Sequence, residues 1–293
     1  MVEIGRLKLR NPVMVASGTF GCGEEYAKLF DINKLGAIVT KTITLKARVG
    51  NPPPRIVETA SGMLNSIGLE NKGADDFLKE KSPFLKALKT KVVISVAGET
   101  TAELQELVKK VGSSGLADAI ELNLSCPNIK DRGIIAQDPK AVGAFVRAAR
   151  KAAKTVLIAK LSPNVTDISE VAGAAEDAGA DAVSLINTFP AMAIDIKTGR
   201  PVLGNVTGGL SGPAIKPIAL KMVWDVHNAV KIPIIGIGGI MTAEDAIEFL
   251  LCGAKAVQVG TANFVNPKAP LEIIKGIEKY ESAKTGRTPH RSA

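Results

Sequence analysis

Short apolar, β-branched runs recur along the chain, and each is followed by a stretch with helical spacing. Eight such runs stand out, at residues 12–16, 37–41, 92–96, 119–122, 156–160, 182–186, 234–237 and 256–259. Runs this short, bounded by Gly, Pro and polar residues, predict strands buried on both faces, as in a parallel sheet. Between them, residues 102–111, 140–153, 167–178, 215–229 and 243–251 carry the apolar spacing of amphipathic helices. Thr166 or Asp167 is placed to cap one helix. Thr242 with Asp245 reads as a capping box with Asp in the Glu slot. Gly179 and Gly253 are the residues expected just past two helix ends.

Strands alternating with helices predict parallel neighbours joined by right-handed crossovers. Eight of them fit a closed (β/α)8 TIM barrel better than an open doubly wound sheet, which is the alternative. The first residues, 2–9, read as a small hairpin turning at Gly5 and plugging the barrel bottom. Residues 42–91 and 187–233 are too long for plain barrel loops. Each follows a strand's C-terminal end, the face on which barrel enzymes build their sites, so lids or extra hairpins are expected there. Nothing marks a linker or a repeat, so residues 1–293 are read as a single domain. Residues 279–293 are read as a loosely ordered basic tail.

Composition narrows the picture. Apolar residues make up 46% but aromatic residues only 4%, so Ala, Val, Ile and Leu must build the core. No apolar run reaches ~18 residues and no signal peptide is apparent, so no membrane span is expected. The three cysteines, Cys22, Cys126 and Cys252, are scattered and form no CxxC pair. They encode no disulfide framework, no metal site and no iron–sulfur cluster, and they fit a reducing cytoplasm. Part of the +8 net charge sits in the tail, without the interleaved aromatics of a nucleic-acid arm.

Chemistry collects just past the strand ends, at Ser17, Lys41-Thr42, Asn123, Lys160, Asn187-Thr188 and Gly238-Gly239. A lysine at a buried strand end needs an anion or a polar cofactor to face. A lone one could instead snorkel to the surface. Gly236-Ile-Gly-Gly-Ile-Met-Thr242 opens a helix after the seventh strand and Gly260-Thr261 follows the eighth. Such loops commonly bind phosphate in these barrels, and a mononucleotide fits them better than a dinucleotide. Asn123-Leu-Ser-Cys-Pro-Asn128 places Cys126 in a turn between two amides. A nucleophilic cysteine would want a histidine, but His227 lies within a predicted helix and His290 in the tail. Cys126 is therefore read as a base.

These motifs together resemble class 1 dihydroorotate dehydrogenase over nearly the whole chain. The resemblance rests on Ala16-Ser-Gly-Thr-Phe-Gly21, Thr40-Lys-Thr42, Asn65-Ser-Ile-Gly-Leu-Glu-Asn71, Asn123-Leu-Ser-Cys-Pro-Asn128, Ile158-Ala-Lys-Leu-Ser-Pro163, Ile186-Asn-Thr188, Gly208-Gly-Leu-Ser-Gly-Pro213, Gly236-Ile-Gly-Gly239 and Gly260-Thr261. It implies an FMN barrel that oxidises dihydroorotate to orotate in pyrimidine synthesis. Cys126 would take the proton from C5, with hydride leaving C6 for flavin N5. Lys41, Asn65, Ser66, Ile67, Gly68, Leu69, Asn123, Asn128, Asn187 and Thr188 would bind substrate. Ser17, Lys41, Thr42, Ser95, Asn123, Lys160, Ile186, Gly212, Gly238, Gly239, Gly260 and Thr261 would bind FMN. Ser95 stands where the family usually has asparagine, and its shorter side chain would reach FMN through water. Arg132 stands where the catalytic loop often has glycine.

The residues after Asn128, Ile129-Lys-Asp-Arg-Gly133, resemble the NAD-linked class 1B form. The fumarate-linked class 1A form, which typically reads Val-Pro-Gly there, is the alternative. Class 1B implies a partner subunit carrying FAD and a 2Fe–2S cluster. It also implies a heterotetramer of two catalytic and two electron-transfer subunits, built around a catalytic-chain homodimer. A tRNA dihydrouridine synthase-like FMN barrel and a phosphate-binding barrel without chemistry are the remaining alternatives. The first would need an RNA-binding domain; the second would not need Cys126, two lysines and four amides.

Overall fold

The computed structural model describes residues 1–125 and 135–285. The chain opens with a hairpin of β1 (Val2–Ile4) and β2 (Leu7–Leu9), turning at Gly5. There follow β3 (Val13–Val15), β4 (Ala37–Val39), β5 (Ile56–Thr59), β6 (Gly62–Asn65), α1 (Ala74–Ala87), β7 (Lys91–Val96), α2 (Thr101–Ser113) and β8 (Ala119–Asn123). Next come α3 (Pro139–Ala152), β9 (Val156–Lys160), α4 (Ile168–Asp177), β10 (Ala182–Leu185), β11 (Phe189–Ala191), β12 (Ile194–Asp195), β13 (Arg200–Pro201) and β14 (Gly208–Ser211). The chain closes with α5 (Lys216–Ala229), β15 (Ile234–Ile237), α6 (Ala243–Leu251), β16 (Ala256–Val259), α7 (Ala262–Val265) and α8 (Ala269–Thr285).

Strands β3, β4, β7, β8, β9, β10, β15 and β16 form a closed parallel barrel in that order. They are the eight runs singled out in the sequence. The five expected helices are α2 to α6. Asp167 caps α4 by accepting from the Ser169 N–H. Thr242 and Asp245 form the expected reciprocal box at the start of α6. Gly179 and Gly253 stand in the left-handed region just past α4 and α6, with φ of 95° and 105°.

The core has two layers. Val13, Val15, Ile38, Val92, Ile94, Ile120, Leu122, Leu157, Val183 and Val257 point outward from the strands and pack against the helices. The alternate residues Met14, Ala37, Val39, Val93, Ala119, Val156, Ile158, Ala182, Ile235 and Ala256 point inward. They form a separate cluster with Ile4, Leu7 and Leu9 of the hairpin. The hairpin thus closes the end of the barrel where the strands begin. Fully burying each of its leucines is worth about 1.5–3 kcal/mol.

Three helices were not foreseen: α1, the four-residue α7 and α8. Helix α1 carries Pro83 within it. Helix α8 runs through Thr285, so residues 279–285, expected to be part of a loose tail, are helical; residues 286–293 lie outside the described ones. Both long insertions do form extra strands, and these join across the chain. β5 and β6 come from the first and β11 and β14 from the second, in one antiparallel sheet ordered β11-β14-β6-β5. Strands β12 and β13 pair separately as a short ribbon. Among the described residues, no helix is long and apolar enough to cross a membrane.

Candidate active site

Side chains alternate across a strand, so every second residue of each barrel strand faces inward. Followed toward the C-terminal ends, the inward positions change character. Val93 gives way to Ser95, Ala119 to Glu121 and then Asn123, Ile158 to Lys160, Ala182 to Ser184, and Ala256 to Gln258. The apolar plug therefore carries a polar layer above it, and the rim residues stand on that layer.

On one side of the rim a chain of hydroxyls links three strand ends. Ser17 Oγ and Thr42 Oγ1 share a hydrogen bond of 2.9 Å, as do Thr42 Oγ1 and Ser95 Oγ. Ser95 is fully buried, so it forms the inner link of this chain and stands below the half-buried Ser17. Thr40 Oγ1 accepts from the Ser95 N–H at 3.3 Å.

On another side the amides converge. Asn187 Nδ2 donates to Ser125 Oγ at 2.8 Å and to Asn123 Oδ1 at 3.4 Å. Asn123 Oδ1 also accepts from the Ser125 N–H, and Asn187 Oδ1 from the Thr188 N–H. Asn164 Nδ2 donates to the Thr188 carbonyl at 3.2 Å, tying the loop after β9 to the loop after β10. The structure therefore brings Asn123, Asn187 and Thr188 together. Cys126 and Asn128 lie outside the described residues, as does Arg132.

The Asn65–Leu69 motif lies where β6 leaves the extra sheet. Asn65 Nδ2 donates to the Gly209 carbonyl at 3.4 Å, and Ser66 Oγ accepts from Asn51 Nδ2 at 2.9 Å. Leu69 adopts a left-handed φ of 54°, uncommon for a bulky residue. Asn71 holds it there: Nδ2 donates to the Leu69 carbonyl and to Thr44 Oγ1, while Oδ1 accepts from the Gly73 N–H. Asn71 is thereby a structural brace, and Asn65 is the other amide of the motif.

The two lysines differ in setting. Lys41, half-buried at the end of β4, titrates below the ordinary lysine range. Burial is the main cause, the Glu70 carboxylate partly opposes it, and the Arg55 guanidinium adds to it. Arg55 and Glu70 are themselves ion-paired. Lys160, at the end of β9, is buried, with Nζ 3.9 Å from Glu121 Oε1. Glu121 Oε2 accepts from Gln258 Nε2 at 2.6 Å and Ser184 Oγ at 3.0 Å. Glu121 and Gln258 were hidden in the sequence inside runs read as apolar. The alternation Ala119, Glu121, Asn123 was the signal that placed Glu121 inward.

The glycine turn follows β15, which is separated from β9 by β10 alone. Gly238 and Gly239 have φ of 130° and 70°, in or near the glycine-only region. A methyl group on Gly239 would lie 2.7 Å from Lys216 Cβ and 2.9 Å from the Gly212 carbonyl, so only glycine fits. The turn leads into the capping box of α6. Thr261 Oγ1 donates to Ser211 Oγ at 2.8 Å, joining the loop after β16 to the end of β14. Gly212 follows Ser211 with φ 100°, and Ile186 is buried with its N–H bonded to the Ile237 carbonyl.

A parallel barrel whose C-terminal rim gathers amides, two lysines and a glycine turn at a helix start has the architecture of a (β/α)8 enzyme. Comparison with known proteins makes that class specific. A family model described as dihydroorotate dehydrogenase matches residues 1–280, and the chain belongs to the dihydroorotate dehydrogenase family. It is 58% identical over 280 residues to the dihydroorotate dehydrogenase B (NAD(+)) catalytic subunit of Trichlorobacter lovleyi, covering 95% of this chain and 92% of the relative. It is 55% identical over 284 residues to the same subunit of Caldicellulosiruptor bescii, covering 97% and 94%. The Geobacter sulfurreducens subunit is 56% identical over 280 residues, covering 95% and 92%. This membership sets aside the tRNA dihydrouridine synthase alternative.

Proposed function

We propose that the chain oxidises dihydroorotate to orotate, with FMN bound at the barrel rim and electrons passed to NAD through a partner subunit. The observation that carries this reading is the pair of amides Asn123 and Asn187, with Thr188 beside them, set on the polar layer that holds Lys160. Each amide offers both a donor and an acceptor, as a planar ring with alternating N–H and C=O edges requires. Asn65 and Asn128 would complete the set, with Ser66 to Leu69 forming the wall beside them. Lys41 would face the substrate carboxylate.

The residues present fit FMN. Gly238 and Gly239 offer backbone N–H groups at a helix start, which suits a phosphate. A methyl group on Gly260 would meet only Ala16 Cβ, at 3.7 Å, so space remains beside it. Thr261 and Gly212 would flank that phosphate, and Ser17, Thr42, Ser95, Lys41, Asn123, Lys160 and Ile186 would line the ring. Bound FMN would supply the acceptor for the hydride that leaves C6. Cys126 removes the C5 proton, a role open to a thiol whose pKa is set by its surroundings. Lys160 places a positive charge where the reduced ring would be anionic.

The relatives are NAD(+)-linked catalytic subunits, a name that presupposes another subunit. The three scattered cysteines cannot hold a 2Fe–2S cluster here, so FAD and that cluster would belong to the partner. We place the assembly in the cytoplasm, as two catalytic and two electron-transfer subunits around a catalytic-chain homodimer. The direct test is anaerobic addition of dihydroorotate to the purified chain. Flavin absorbance should bleach in wild type and fail to bleach at neutral pH in Cys126→Ser, with the yellow cofactor retained in both. Equal bleaching in the variant would remove Cys126 from the role of base. Efficient NAD reduction by the isolated chain would remove the partner from the reading.

A further inference from the structure

The polar layer under the rim holds one ionisable group the proposed reaction does not use. Glu121 is fully buried in the barrel centre, below Asn123 on the same strand. A carboxylate there is costly unless something offsets its charge and fills its lone pairs. Gln258 and Ser184 satisfy Oε2, but Oε1 has no hydrogen-bond partner among the described residues, nor does Gln258 Oε1.

The nearest cation is Lys160. Its Nζ stands 3.9 Å from Glu121 Oε1, close enough for charge compensation and too long for a hydrogen bond. Among the described residues the ammonium of Lys160 has no hydrogen-bond acceptor. Glu121 thus balances the lysine's charge from below while leaving its N–H donors free for whatever lies above. The strand registers fix this relation, since Lys160 pairs with Asn123 on one side and Ser184 on the other. Each member of the layer is carried by a barrel strand, so the spacing does not depend on a loop.

We propose that Glu121 is a positioning residue for Lys160. Its carboxylate, anchored by Gln258 and Ser184, holds the ammonium under the site and sets how much positive charge reaches the bound cofactor. This rests on the reading of the rim as an FMN site. With the carboxylate in place, part of the lysine's field is cancelled and the anionic reduced cofactor is less stabilised. Glu121→Gln removes that cancellation and keeps the side-chain shape, so reduction becomes easier. Gln258→Met takes a hydrogen bond from the carboxylate, strengthens its pull on Lys160 and makes reduction harder.

The test is the midpoint potential of the FMN-loaded chain, read against a reference dye at equilibrium. Glu121→Gln should raise it by about tenfold in the two-electron equilibrium, ~30 mV, and Gln258→Met should lower it. A purely structural role predicts no shift, or one of the same sign in both variants, and either result overturns the proposal. Thermal unfolding of the flavin-free chain gives a second reading, through a cycle of Glu121→Gln, Lys160→Met and the double variant. The double variant should be less destabilised than the sum of the singles. Additive effects would remove the coupling of Glu121 to Lys160 even if FMN binds. A wild-type chain that holds no FMN, with the cycle still non-additive, would overturn the cofactor reading and leave the pair intact.

Discussion

Replacing Asp245 with Ala should loosen the joint between the glycine turn and helix α6. Asp245 Oδ2 accepts from the N–H groups of Met241 and Thr242, each at 2.9 Å. Its Oδ1 accepts from Lys216 Nζ at 2.6 Å, and the β-carbon of that lysine would be the first atom to meet a side chain at Gly239. Loss of the reciprocal cap costs about 1 kcal/mol. Leaving the part-buried Met241 N–H without an acceptor adds roughly another 1 kcal/mol. Lys216 retains Glu248 at 3.0 Å, so its charge contributes little to the loss. The sum, about 2 kcal/mol, corresponds to a fall in melting temperature of roughly 4 °C for a chain of this size. Thermal unfolding followed by circular dichroism measures it, and a fall below ~1 °C would refute the reasoning. The pH dependence supplies a second check. Burial pushes the Asp245 carboxyl up, but Lys216 and the two backbone N–H groups outweigh it and hold the carboxyl below the ordinary aspartate range. The stability advantage of wild type over Asp245→Asn should therefore be complete above that range, and should vanish as the pH falls through the depressed value.

Three further outcomes follow from the same geometry. Orotate affinity should weaken as the pH rises at values below the ordinary lysine range, because burial lowers the pKa of Lys41; binding titrations that are flat there would exclude Lys41 as the carboxylate's partner. Leu9→Ala should cost about 2–5 kcal/mol while FMN binding persists, because Leu9 is fully buried in the plug at the opposite end; a melting temperature equal to wild type would show that the hairpin does not seal the core. Burial raises the Cys22 thiol to about 11, with Lys81 opposing only in part. Cys22 should thus escape iodoacetamide at pH 8 in the native protein, and mass spectrometry showing modification as fast as that of a free thiol would contradict its burial.

The barrel was legible because its strands carry their own signal. Runs such as 156–159 are apolar throughout, as a strand covered on one face by helices and on the other by the plug must be, and β9 extends this run by one residue, to Lys160 at the rim. The Thr242–Asp245 box was legible because a cap is a local arrangement, complete within one turn. The sheet β11-β14-β6-β5 was not, because its strands have only three or four residues and pair across the chain. No local periodicity records such a partner. Glu121 and Gln258 were missed for a related reason. Each sits between apolar neighbours, and reading the runs as uniformly apolar concealed the alternation that turns these two inward. The last part of helix α8, from residue 279 on, was read as a solvated tail because of its charged residues, and the first part, where Ile273, Ile274 and Ile277 are buried in the core, was not singled out.

The shared sheet above the barrel makes its two insertions a single heritable part. Asn65 is held in register by Gly209, and Met63 by Ser211, so each insertion supplies the edge that the other must cover. Transplanting either one alone into a related barrel would strip β6 or β14 of a neighbour and leave an open edge above the barrel. A designer seeking to change the substrate of this scaffold should therefore move residues 42–91 and 187–215 together, as one graft of two segments.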